Sequence, residues 1–138
     1  MRATFPQVPP WINQAARFLT VGLLNTALDA AIYYALTRGF HFFGDAPVYA
    51  KAISYSAGIL NSFFWNRMWT FRSGASARST LLPYTAANLS GLALNTGTLQ
   101  FCLKVLGLPE SLSFILATGL TTGWNFLVSK FLVFRKTA

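Results

Sequence analysis

Residues 17–36 read RFLTVGLLNTALDAAIYYAL. Past the opening arginine, the stretch holds a single residue charged at neutral pH, Asp29. A helix of about 20 residues spans the roughly 30 Å of a bilayer's hydrocarbon core. The run extends no further than about residue 38, and three more of the same kind follow, at about residues 47–71, 80–106 and 110–134. Pro83 is read into the first turn of the third run, where a missing N–H costs little. The Gly107–Leu108–Pro109 turn ends that run. None of the four alternates polar and apolar residues as barrel strands do. The fold these runs predict is an all-α integral membrane protein with four transmembrane helices in a single domain, residues 72–79 forming a short linker.

Composition points the same way. Hydrophobic residues make up 54% of the 138-residue chain and charged residues only 10%, against about 25% charged in soluble domains. Lipid lets apolar side chains face outward; water would not. The net charge of +8 would suggest nucleic acid in a soluble protein. Here the basic residues flank the apolar runs, so they read as topology signals and no nucleic-acid partner is expected. Cys102 is the sole cysteine, which leaves no intramolecular disulfide to form.

Arg2, Arg17, Arg67, Arg72, Arg78, Lys130, Arg135 and Lys136 fall on one side of the four runs. Arg38, Lys51 and Lys104 fall on the other, with Asp45 and Glu110. The positive-inside rule then places both termini and the 72–79 linker in the cytoplasm. Trp11, Trp65 and Trp69 lie near that interface, and Phe5, Val8, Trp11 and Ile12 suit a short interfacial foot.

The two halves resemble each other. Residues 17–25 can be laid over residues 83–91, which brings Asp29 onto Asn95. Asn66–Arg67 falls on Ser129–Lys130, and Phe71–Arg72 on Phe134–Arg135. Each half is a two-helix hairpin entered from the same side, which predicts a parallel repeat.

Polar groups inside the runs are costly, so their positions carry information. Gly22, Asn25 and Asp29 share a face, as do Asn88, Gly91 and Asn95. Ser54, Gly58, Asn61 and Trp65 line a third face; Thr118, Thr121 or Thr122, Asn125 and Ser129 a fourth. Such residues either bond the helices together or line a polar cavity. Asp29 is either a carboxyl bonded to Asn25 or a neighbouring asparagine, or a hydroxyl-binding or proton-coupling group. Arg67 and Lys130 are either topological anchors or, beside the helix N-termini at that face, cations for a phosphate. Gly119 and Gly123 form a GxxxG pattern suited to helix packing, within the chain or in a dimer. One His, one Cys and three acids supply neither a metal cage nor a nucleophile triad, so no catalytic residues, metal or cofactor are expected.

Residues 17–30, 50–72 (with Asn61–Ser62 and Asn66–Arg67–Met68–Trp69–Thr70–Phe71) and 123–135 (with Trp124–Asn125–Phe126) resemble the GtrA-like family of four-span membrane proteins. The resemblance covers about residues 15–136. It implies a flippase that carries a polyprenyl-phosphate-linked sugar across the bacterial inner membrane for polysaccharide synthesis, loaded by a membrane glycosyltransferase. On that footing Arg67, Lys130 and Arg17 are candidates to hold the phosphate. Asn25, Asp29, Asn61, Asn66, Asn88, Asn95, Trp124 and Asn125 are candidates to meet the sugar, and a homo-oligomer is expected. Asn61–Ser62 and Ser129–Lys130 depart from the family's more usual Asn–Asn and Asn–Arg. Two other functions fit a four-span chain: a non-transporting partner of the glycosyltransferase, and a small proton-coupled exporter of cationic drugs built on Asp29.

Overall fold

The computed structural model describes residues 9–135. The chain divides after Arg72 into two compact units. Among the described residues every regular element is helical. Unit 1 contains α1 (Pro10–Gly39), the short α2 (His41–Asp45) and α3 (Pro47–Trp65), which runs on into a π-helical turn, Asn66–Thr70. Unit 2 contains α4 (Ala77–Lys104) and α5 (Glu110–Val128), which ends in a second π turn, Ser129–Val133.

Local chemistry sets the helix starts. Pro10 and Pro47 occupy first-turn positions of α1 and α3, where their locked φ helps and no N–H is missed. Trp11 and Ile12 therefore belong to the first turn of α1 itself, ahead of the apolar run at Arg17; Arg2, Phe5, Val8 and Lys136 lie outside the described residues. Ser76 caps α4, its side chain accepting from the Ser79 N–H at 3.2 Å. That cap corrects the reading of Pro83: the helix begins at Ala77, so Pro83 lies inside it and not in its first turn. Gly107, at φ +64°, turns the chain out of α4, and the Leu108 N–H closes back on the Cys102 carbonyl at 3.0 Å.

Each unit is an antiparallel hairpin. In unit 1 the Phe18 and Phe71 rings meet at 6.1 Å, Asn25 lies against Gly58, and Asp29 against Lys51. In unit 2 Tyr84 meets Phe134 at 5.5 Å, and Asn125 lies against Gly91. The second helix of each hairpin buries a stripe at every fourth residue. In unit 1 it is Ala50, Ser54, Gly58, Ser62, Asn66 and Thr70, all buried. In unit 2 it is Ser113, Ala117, Thr121, Asn125, Ser129 and Val133, with Thr121 and Asn125 half-buried and the others buried. The buried face in unit 1 thus passes through Ser62 and Asn66; Asn61 is half-buried beside it, and Trp65 is 53% exposed.

Four residues overshoot one α-turn by about 40°, so such a stripe drifts around the helix. The π turns counter the drift. Each is a wider turn closed by an N–H five residues on, Phe71 to the Asn66 carbonyl and Phe134 to the Ser129 carbonyl, both at 2.8 Å. Thr70 and Phe71, and likewise Val133 and Phe134, are brought back to the buried side.

Burial is inverted relative to a water-soluble bundle. Small and polar residues fill the seams, while Leu23, Val48, Leu82 and Leu132 are each 69–77% exposed. Among the described residues, two helical segments, Pro10–Gly39 and Glu110–Val133, are long and apolar enough to cross a membrane. The chain is a membrane protein of helical hairpins. Among the described residues one non-glycine backbone position is strained: Arg72 sits at φ +47°, a left-handed conformation that costs a residue with a Cβ roughly 1–2 kcal/mol. Arg72→Gly should raise stability by about 0.5–1 kcal/mol, after the entropy glycine adds to the unfolded chain. Thermal unfolding in a single detergent measures this.

Candidate functional site

The seam of unit 1 carries polar groups along its length, between buried apolar residues such as Val21 and Phe71. Nearest the π turn, Asn66 donates from Nδ2 to the Ser62 hydroxyl at 3.2 Å. Further along, the Asn25 amide lies over Gly58, where an added Cβ would meet Nδ2 at 3.2 Å. The Asn25 Oδ1 is buried and accepts no hydrogen bond from the described residues. At the far end Lys51 Nζ donates to Asp29 Oδ2 at 2.5 Å. The other carboxylate oxygen, Oδ1, is buried and accepts no well-formed hydrogen bond from the described residues.

Cations gather at the π-turn end. Arg17, on α1, donates from Nη1 to the Trp69 carbonyl at 3.0 Å, and its guanidinium lies 5.4 Å from the Trp69 ring centroid. Carbonyls at a helix C-terminus lack N–H partners within the helix, and Arg17 supplies one across the hairpin. Arg67 lies in the same π turn, half-buried. The structure therefore brings Arg17 and Arg67 to one end of unit 1.

In unit 2 the Asn125 side chain fills the space over Gly91, and Trp124 donates from Nε1 to the Ser90 hydroxyl at 2.9 Å. Thr121 Oγ1, Asn125 Oδ1 and Ser129 Oγ, successive members of the α5 stripe, are buried and form no hydrogen bond among the described residues. Asn88 turns its amide back to the Tyr84 carbonyl of its own helix at 2.9 Å. Asn61 and Asn95 are half-buried. Lys130 lies in the second π turn, with its ammonium 5.3 Å from the Phe131 ring and 5.6 Å from the Phe126 ring. Neither Gly119 nor Gly123 is packed, since a Cβ at either would meet nothing within 4 Å.

Sequence reasoning missed Lys51 as the partner of Asp29. Lys51 counts as an outside charge in the topology reading, and only the hairpin register brings it opposite Asp29. Ser62 and Ser90 were missed as well, since a lone serine in an apolar run gives no signal until its neighbour on the facing helix is known. The chemistry available is consistent across both units. Buried oxygens without donors can accept hydroxyl protons, and the cations in the π turns can hold an anion despite the negative helix C-termini they sit on.

The profile of the GtrA/DPMS transmembrane domain matches residues 17–134. A 60-residue stretch covering 44% of the chain is 42% identical to the uncharacterized membrane protein YngA of Bacillus subtilis. Over 121 residues, 86% of the chain, it is 26% identical to a dolichol-phosphate mannosyltransferase of Pyrococcus furiosus. These matches span 38% and 33% of the two relatives' own lengths.

Proposed function

The chain belongs to the GtrA/DPMS transmembrane-domain family, and from that premise we propose that it flips a polyprenyl-phosphate-linked sugar from the inner to the outer leaflet of a bacterial inner membrane. The observation that carries the reading is the pairing, within each unit, of a seam of buried oxygens with cations at the π turn. A glycosyl phosphate needs both: an anion holder at the interface, and acceptors for its hydroxyls within the hydrocarbon.

On this reading all four long helices cross the bilayer. The 28 residues of α4 rise about 42 Å, and the 19 of α3 about 28 Å before its π turn. Both termini are cytoplasmic, as the excess of Arg and Lys at the π-turn ends supports. Arg17 and Arg67 hold the phosphate on unit 1, and Lys130 serves unit 2. Asn25, Asp29, Asn61 and Asn66 in unit 1, and Asn88, Asn95, Trp124 and Asn125 in unit 2, meet the sugar. The prenyl tail stays in lipid against the exposed leucine faces. A membrane glycosyltransferase supplies the loaded lipid, and a second copy of the chain enlarges the path.

Reconstitution tests this. Liposomes carrying the protein should expose labelled polyprenyl-phosphate sugar from both leaflets, and empty liposomes only from one. Equal accessibility with folded protein present would sink the flippase reading.

A second reading has one observation behind it. The match to the mannosyltransferase covers a third of that protein, so a stretch similar to this chain is joined there to further sequence. This chain would then serve as the membrane partner of a glycosyltransferase, and would co-purify with it while moving no lipid. An exporter of cationic drugs gains no support, because the Asp29 carboxylate it would use is engaged by Lys51.

A further inference from the structure

The two hairpins differ at one place inside the seam that acts as an internal control. The register that sets Ala50 beside Ser113 in the buried stripes also sets Lys51 on Phe114, and Asp29 falls on Asn95. Unit 2 thus has the same helical hairpin and the same π-turn ending without an ion pair at this position. The hairpin does not need Asp29 and Lys51 in order to form.

The pair is also lopsided. The Lys51 side chain is 56% exposed and that of Asp29 only 21%. The ammonium is the open half, and the Tyr33 ring lies 6.0 Å from it. An ammonium has three donors, and one is directed at Asp29 Oδ2. Asp29 is twelve residues from Arg17 along α1, and Lys51 sixteen from Arg67 along α3 and its π turn. At about 1.5 Å per residue these separations are about 18 and 24 Å. Unit 1 therefore carries a cation at each end of one polar seam, less than a hydrocarbon thickness apart.

We propose that Lys51 is a second phosphate-binding residue, at the end of the seam opposite Arg17 and Arg67, and that Asp29 is its resident counter-ion in the empty state. A lipid phosphate arriving at the open side of Lys51 takes the free donors and competes with the carboxylate for the charge. Asp29 weakens the hold on the phosphate, which suits a site that must release its lipid. The proposal rests on the polyprenyl-phosphate reading above and adds the residue that receives the headgroup after crossing.

The test is titration of the purified full chain with farnesyl phosphate in detergent, in the wild-type protein and in an Arg67→Ala background where binding at the other end is weakened. Asp29→Asn installs the residue unit 2 carries at this position. It should tighten binding about fivefold or more, the effect of removing one nearby negative charge. Lys51→Phe, again the unit 2 residue, should weaken binding by a similar factor and abolish the gain from Asp29→Asn in the double variant. Lys51→Gln serves if the phenylalanine disturbs folding. Unchanged affinity in both Asp29→Asn and the Lys51 variants overturns the proposal. If Arg67→Ala weakens binding in that case, the phosphate-lipid reading survives without Lys51. If the wild-type chain binds no farnesyl phosphate, both fall together.

Discussion

Gly91→Ala should destabilise the chain by about 1–3 kcal/mol, the usual range for overpacking a tight contact. Gly91→Leu should prevent folding altogether. A Cβ at Gly91 would lie 2.9 Å from the Cγ and Nδ2 of Asn125, with Oδ1 closer still. Asn125 has little room to give, because its Oδ1 is buried within the α4–α5 hairpin. Gly58→Ala is the matched control. Its nearest atom is the Asn25 Nδ2 at 3.2 Å, so a shift of a few tenths of an ångström relieves it and the loss should be smaller. Asn125→Ser should rescue Gly91→Ala, because serine is what unit 1 carries at the same place in its stripe, Ser62. Thermal unfolding of the four variants in one detergent decides the matter. A Gly91→Ala midpoint equal to wild type would show that Asn125 swings aside.

Removing Arg17 and Arg67 together should lower the affinity for polyprenyl phosphate by about 100-fold or more. Hydrogen bonds to charged groups contribute roughly 1.5–3 kcal/mol each, and 1.4 kcal/mol is a factor of about ten. The two substitutions differ in their side effects. Arg17→Ala also strips the Trp69 carbonyl of its donor, so about 0.5–1.5 kcal/mol of stability should go with it. Arg17→Lys keeps the charge but loses the planar fork, and should fall between wild type and alanine in affinity. Measuring binding and unfolding on the same preparations separates the two effects. An undiminished affinity in the double variant would leave both arginines as topological anchors.

The helical class was legible because each predominantly apolar run is long enough to span a bilayer, and length needs no partner to be read. The helix starts were less so. Pro83 suggested the opening of a helix, yet Ser76 caps it seven residues earlier; a cap competes with a proline only through backbone geometry. Asn25 and Gly91 stood out at equivalent positions of the two halves. That each meets a complementary residue across its hairpin, glycine under asparagine in one and asparagine over glycine in the other, was hidden because pairing depends on register. The same holds for Asp29. Its cost in lipid marked it as in need of a partner, but α2 lengthens the connection and shifts which α3 residue lies opposite. The π turns had no visible sequence signature, since Asn66–Thr70 and Ser129–Val133 share no residue at any aligned position.

The outward leucines have a consequence for how this molecule is handled. In a water-soluble domain the apolar free energy belongs to the chain, because folding removes that surface from solvent. Here Leu23, Val48, Leu82 and Leu132 remain on the outside, and the medium around them replaces the missing core. Unfolding temperature is then a joint property of protein and amphiphile. It should climb as detergent tails lengthen toward the hydrocarbon thickness the helices match, while the differences among seam variants, which never touch the tails, stay nearly constant from one micelle to the next.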